Sequence, residues 1–214
     1  MSVHLRPEEI EAESFRIIDA EVGEHPWPPG EWEVVRRAIH TSADFDYART
    51  MSFSPDALAR GIEALRSGRG LVTDTTMALA GINKRLLKRV GVRAFCFVAD
   101  PDVSELAVSE GITRSIAAMR KAAGDPANGV FVIGNAPTAL FELLRLVREE
   151  ELRPGLVVGL PVGFVGAEES KEALIREASF PFITNRGRKG GSNVAAAVVN
   201  ALLLLALENE EKGP

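Results

Sequence analysis

Cysteine is almost missing: Cys96 is the sole thiol in 214 residues. One thiol excludes an internal disulfide framework and fits a reducing compartment. A basic excess is missing too, since 25 Lys and Arg stand against 30 Asp and Glu, a net charge of −5. Duplex binding needs a basic face, so no nucleic-acid partner is expected. No apolar run is long enough for a membrane helix of about 20 residues. The most apolar tract, Ala195 to Leu207, is interrupted by Asn200. It reads as a core helix, apolar all round, that also faces a second subunit. The N-terminus carries Glu8, Glu9, Glu11 and Glu13 in place of a signal-peptide core, so a cytoplasmic location is expected. The three histidines are scattered and give no metal-ligand spacing. A G-x-S-x-G elbow, internal repeats and low-complexity linkers are likewise missing.

What is present is a core. Hydrophobic residues make up 46% of the chain, enough for one domain over residues 1–214. Two textures divide it. Residues 1–67 read as a helical N-terminal part. His25-Pro26-Trp27-Pro28-Pro29-Gly30 cannot be helix, because prolines lack donors. A helix follows from about Glu31 to Thr41, with Trp32, Val35 and Ile39 at helical spacing. Ser54-Pro55-Asp56 is expected to open another, with the serine as cap.

Residues 68–209 alternate strand and helix. Five apolar runs qualify as strands: Gly70–Thr73, Val92–Val98, Val130–Ile133, Leu156–Gly159 and Phe180–Thr184. Such runs suit strands buried on both faces. Helices are expected between them, including Thr138–Glu151 and Glu168–Ala178. The expected fold is therefore α/β: a three-layer, five-stranded, mostly parallel doubly wound sheet with a helical N-terminal region. Each strand ends in a polar or glycine-rich turn. In an open parallel sheet these turns share one rim, where ligands bind. Five of them make a broad site suited to a large ligand.

Each motif has two readings. Arg186-Gly187-Arg188-Lys189-Gly190-Gly191-Ser192 reads as an anion clamp at a helix start, with Ser192 as cap, or as a solvated basic turn. Gly134-Asn135-Ala136-Pro137-Thr138 resembles a phosphate-binding turn but lacks the spacing of the known nucleotide loops. His40, at a helix end, is either a dipole-stabilised surface residue or a proton donor. Arg37 shares its helix face. Asp74 reads as a helix cap or a ligand contact. Arg114, in the first turn of a helix, reads as an anion contact or as a solvated charge; its opposition to the dipole leans toward the first.

Together these stretches resemble one family. Arg36-Arg37-Ala38-Ile39-His40-Thr41-Ser42-Ala43-Asp44-Phe45-Asp46 is similar to the histidine motif of the precorrin-8X methylmutases. So are Thr73 to Ile82, Gly111 to Ser115, Gly134 to Leu140, Pro161 to Lys171 and Gly187 to Leu202, in the family's order over residues 10–205. The segments after His40 and around Asp74 look closer to the cobalt-precorrin-8 branch. The resemblance implies an isomerase of cobalamin biosynthesis that shifts a methyl group from C-11 to C-12 of a ring-contracted corrinoid, precorrin-8 or its cobalt form. No redox cofactor, nucleotide or protein-bound metal is called for, and a homodimer is expected. His40 would lend a proton to a ring nitrogen and recover it, a task suited to histidine. Ser14 and Arg37 match substrate-contact positions of the family. Thr41, Asp74, Thr75, Met77, Arg114, Asn135, Pro161, Gly163, Phe164, Arg186, Lys189, Gly190, Gly191 and Ser192 complete the expected substrate site. Helix N-termini at Ser14, Thr138 and Ser192 are expected to meet substrate carboxylates. Two rivals stand beside this reading: a corrinoid carrier without chemistry, and a nucleotide-dependent α/β enzyme suggested by the glycine turns.

Overall fold

A computed structural model of the chain describes residues 6–150 and 152–211. Its first elements are α1 (Pro7–Val22), α2 (Pro29–Ser42), α3 (Tyr47–Thr50), β1 (Met51–Phe53), α4 (Ala57–Arg66), β2 (Gly70–Thr73), α5 (Thr76–Gly81), α6 (Lys84–Val90) and β3 (Ala94–Phe95). There follow α7 (Pro101–Glu110), α8 (Arg114–Ala123), β4 (Asn128–Ile133), α9 (Pro137–Glu149), β5 (Leu156–Gly159), α10 (Ala167–Glu177), β6 (Phe182–Asn185) and α11 (Ser192–Glu211).

The strands form one sheet ordered β1-β6-β5-β4-β2-β3, parallel throughout except where β1 pairs with β6. The expected five-stranded sheet thus gains a sixth strand. Met51–Phe53 lies in the part read as helical, and three residues are too few to show a period. It becomes a strand because it covers the outer edge of β6, pairing Met51 with Asn185 and Phe53 with Ile183. At the other edge, the run expected over Val92–Val98 pairs only at Ala94 and Phe95; among the described residues β3 is the last strand of the sheet.

Adjacent strand residues point to opposite faces, and the core divides accordingly. Val130, Val132, Leu156, Val158 and Ile183 pack with α2, α4 and α11. Phe131, Ile133, Val157 and Phe182 pack with α8, α9 and α10. This is the three-layer arrangement expected. The apolar tract of α11 is satisfied within the chain, beneath α2, α4, α5 and α6. Its Asn200 accepts from the amide of Asn83 and donates to the carbonyl of Gly81.

The cap expected at Ser54 is wrong. Ser54 does not cap α4: its Oγ accepts from the amide of Phe182 at 2.8 Å, and Asp56 at the cap position is left-handed without a side-chain bond. Pairing with the neighbouring strand claims the hydroxyl first.

Candidate active site

The strand order reverses between β2 and β4, so the crevice at their carboxyl ends is where such a sheet ordinarily takes a ligand. Here the chain fills it. Asp74 is buried, and its carboxylate accepts from the amides of Gly134, Asn135 and Ala136 at 2.8, 2.8 and 2.7 Å. Burial pushes its pKa up, against the pull of these amides. Asp74 thus braces two loops, with its buried carboxylate already taking three amides where a substrate contact was expected, and the helix cap beside it is Thr75, which accepts from the amide of Ala78. Thr75 also meets Ser192 through their hydroxyls, 2.8 Å apart. Ser192 is the first residue of α11, and this contact replaces the capping role expected of it. A Cβ on Gly134 would lie 2.7 Å from the Cα of Ser192, so that glycine serves loop packing. The turn at 134–136 donates to Asp74, which leaves its amides unavailable to a nucleotide phosphate.

Next along the rim, the loops after β5 and β6 interlock. The amide of Gly191 donates to Leu160 at 2.9 Å, and that of Gly163 to Arg188 at 3.2 Å. A Cβ on Gly190 would stand 2.3 Å from the Leu160 carbonyl oxygen. The glycines of the basic turn thus let two loops meet, where approach to a ligand was expected. Pro161 is buried in the same contact. Around it the rim exposes apolar groups: Phe164 is 84% exposed and Met77 70%.

The expected cationic clamp is paired within the chain. Arg186 binds Glu172 at 2.9 Å, Arg188 faces Glu168 at 3.8 Å, and Lys189 bridges Asp44 and Asp46 at 2.6 and 2.5 Å. The two carboxylates raise the pKa of Lys189, and Lys189 lowers that of Asp44. Among the described residues Arg114 meets no carboxylate. It starts α8, exposed, and the neighbouring cap Thr113 lies 3.2 Å from Thr138, hydroxyl to hydroxyl. Asn135 is exposed beside them.

His40 sits exposed in the last turn of α2. Its ring meets Phe15 edge-on, with centroids 5.2 Å apart, and Arg37 stacks over the same phenyl ring at 5.1 Å. Arg37 also binds Glu11 at 3.0 Å. Ser14 lies mid-helix, not at a helix start, and its Oγ donates to the Ile10 carbonyl. Thr41 is exposed beside His40. So Arg37 and His40 gather on Phe15, the residue after Ser14, with Thr41 next in the chain, and the strand-end loops form a second group. The bridge between them is Lys189, which grips the turn just past His40, while Tyr47 Oη donates to the Gly190 carbonyl at 3.5 Å. Burial, and then Asp44, push the Tyr47 phenol up to about 12.

Sequence reasoning passed over Asp44, Asp46 and Lys171. Lys171 is fully buried, and its position one turn from Ala167 and Leu174 on the inner face of α10 was the available signal. A cavity of about 630 Å³ lies between α4, α9 and the loop before β6, and one of about 750 Å³ between α9 and α10, reaching Thr138, Glu168 and Glu172. Among the described residues no group of three His, Cys, Asp or Glu is placed to hold a metal ion, and no helix is long and apolar enough to cross a membrane.

Fold and rim together define a doubly wound α/β protein with an open face at its strand ends, completed by an N-terminal helical layer. A family model described as precorrin-8X methylmutase matches residues 9–205. The chain is 49% identical over 202 residues to a cobalt-precorrin-8 methylmutase of Priestia megaterium, covering 94% of this chain and 89% of that protein. It is 51% identical over 204 residues to the cobalt-precorrin-8 methylmutase of Salmonella typhimurium, covering 92% and 95%. The precorrin-8X methylmutase structure from Thermus thermophilus superposes with a TM-score of 0.85 at 40% identity, covering 94% and 98%. The chain belongs to the precorrin-8X methylmutase family, whose members are isomerases of cobalamin biosynthesis.

Proposed function

We propose that this chain is a cytoplasmic methylmutase that moves the methyl group of cobalt-precorrin-8 from C-11 to C-12, giving cobyrinic acid. Relatives named for the cobalt substrate, at 49 and 51% identity, support that branch over the cobalt-free one. One observation carries the mechanism: the exposed imidazole of His40 stands at the end of α2, and the turn after it is tied to the strand-end rim by Lys189. A flat macrocycle resting on that rim would bring a ring nitrogen to His40. Protonating the macrocycle eases methyl migration, and the proton returns to the imidazole afterwards.

The substrate's acetate and propionate groups would be met by Arg114 and by Arg37, Arg186 and Lys189. Arg37 and Arg186 would each exchange an exposed internal carboxylate for a substrate one, while Lys189 would keep Asp44 and Asp46 and meet the substrate with its remaining N–H. A surface ion pair is worth about 0–1 kcal/mol, so the exchange costs little beside a charge-assisted contact of about 1.5–3 kcal/mol. Phe164 and Met77 would pack on the macrocycle face. A homodimer belongs to this reading. It rests on the family resemblance alone, since α11, the face first expected to meet a second subunit, is covered within the chain; a monomer in light scattering at micromolar concentration would remove it.

Purified protein given cobalt-precorrin-8 should yield the methyl-shifted isomer, followed by its visible spectrum and resolved by chromatography. His40→Ala should bind product and lose about 10²–10⁴ in turnover. Wild-type turnover in that variant removes His40 from the mechanism. Binding without isomer formation by the wild type supports the carrier instead.

A further inference from the structure

Lys171 is a lysine with no exposed surface, reaching from α10 to the underside of the loop after β6. Its ammonium donates to the backbone carbonyl of Lys189 at 2.6 Å and to Asn185 Oδ1 at 3.1 Å. The Asn185 amide in turn donates to the carbonyls of Lys189 and Arg186, at 2.9 and 3.1 Å. Both partners of the ammonium are neutral oxygens. A buried cation is costly, and burial pulls this amine down to about 8. Methionine would fill the same space on this apolar helix face without that cost, so packing does not account for the lysine. What it does is fix the main chain at one residue, Lys189. The side chain of that residue crosses to Asp44 and Asp46, four and six positions past His40.

We infer that Lys171 and Lys189 act in series as positioning residues: Lys171 locks the Lys189 backbone, and the Lys189 ammonium then holds the turn after α2, and with it His40, against the strand-end rim. The inference rests on the proposed role of His40. It assigns Lys189 a task in the ligand-free protein, separate from any carboxylate it meets on the substrate. A reacting group displaced by about 1 Å can cost on the order of 10²-fold in rate, so loss of either link should act on kcat more than on KM.

The test compares Lys171→Met, Lys189→Met and the double variant by hydrogen exchange of residues 43–47 without ligand, and by turnover of cobalt-precorrin-8, with His40→Ala as control. Lys189→Met, an exposed substitution, should speed exchange over 43–47 and lower kcat about 10- to 100-fold. Lys171→Met should do the same, and the double variant should be no worse than Lys189→Met alone, the non-additivity expected of residues in one chain of contacts. Unchanged exchange over 43–47 in Lys189→Met overturns the inference, and so do additive effects on kcat. Should Lys171→Met not fold, the exchange and kcat of Lys189→Met still decide the Lys189 link. If His40→Ala keeps its turnover, the reading of His40 is what fails. If His40→Ala is inactive and Lys189→Met is normal, only the present inference does.

Discussion

Two turns on the rim look alike in the sequence and behave oppositely in the fold. Gly134-Asn135-Ala136 and Arg186–Ser192 both follow a strand, contain glycine and precede a helix. The first has its amides turned onto the buried carboxylate of Asp74. The second carries exposed cations on exposed acids. The difference lies in what each arrangement costs to undo. Removing Asp74 strands three amides, each at about 1–3 kcal/mol, whereas a surface pair is worth about 0–1 kcal/mol. The crevice at the strand-order reversal is thus filled by the chain's own carboxylate, and in the proposed function ligand recognition therefore falls to the turns whose partners can be exchanged.

Asp74→Ala should break the comparison hardest. At least about 3 kcal/mol of stability should disappear, read from urea denaturation, because two of the three orphaned amides are fully buried. A loss under 1 kcal/mol would mean the turn at 134–136 does not depend on Asp74.

A titration sharpens the contrast further. The folded-state pKa of Lys171 lies near 8, below the ordinary lysine value. Between pH 8 and about 10.4 the folded protein has released this proton while the unfolded chain still binds it, so this group's contribution to stability rises with pH across that window. The burial penalty is fully present below pH 8. Thermal melts of wild type and Lys171→Met should show the rise in the first and its loss in the second.

At the small end, Arg186→Ala should change stability by less than about 1 kcal/mol, yet weaken product binding about tenfold or more. Binding should also fall as salt rises past about 0.1 M, where the Debye length is about 10 Å. A large loss of stability in Arg186→Ala would make its pair with Glu172 structural.

Much of this was legible beforehand. Continuous apolar runs marked β2 and β5 with the same bounds as found, and strand-helix alternation gave the layers. The rim residues followed from their place at strand ends. What stayed hidden had no local period or depended on a distant partner. β1 has three residues and exists through β6. The hydroxyl of Ser54 goes to the amide of Phe182, and that of Ser192 to Thr75; each was read as a helix cap. The partners of the basic turn lie on α10 and in the turn after α2, far off in sequence.

The sequence by itself determined the α/β class, the family and the residues available to the rim, because burial periodicity and motif content are local properties of the chain. Only the tertiary structure decided which carboxylate fills which nest of amides, which cation meets which acid, and that a buried lysine stands under the loop that grips the turn after α2. Hydrogen bonds and ion pairs act over a few ångströms in space, between residues as far apart in the chain as Asp44 and Lys189, and no pattern along the chain records that proximity.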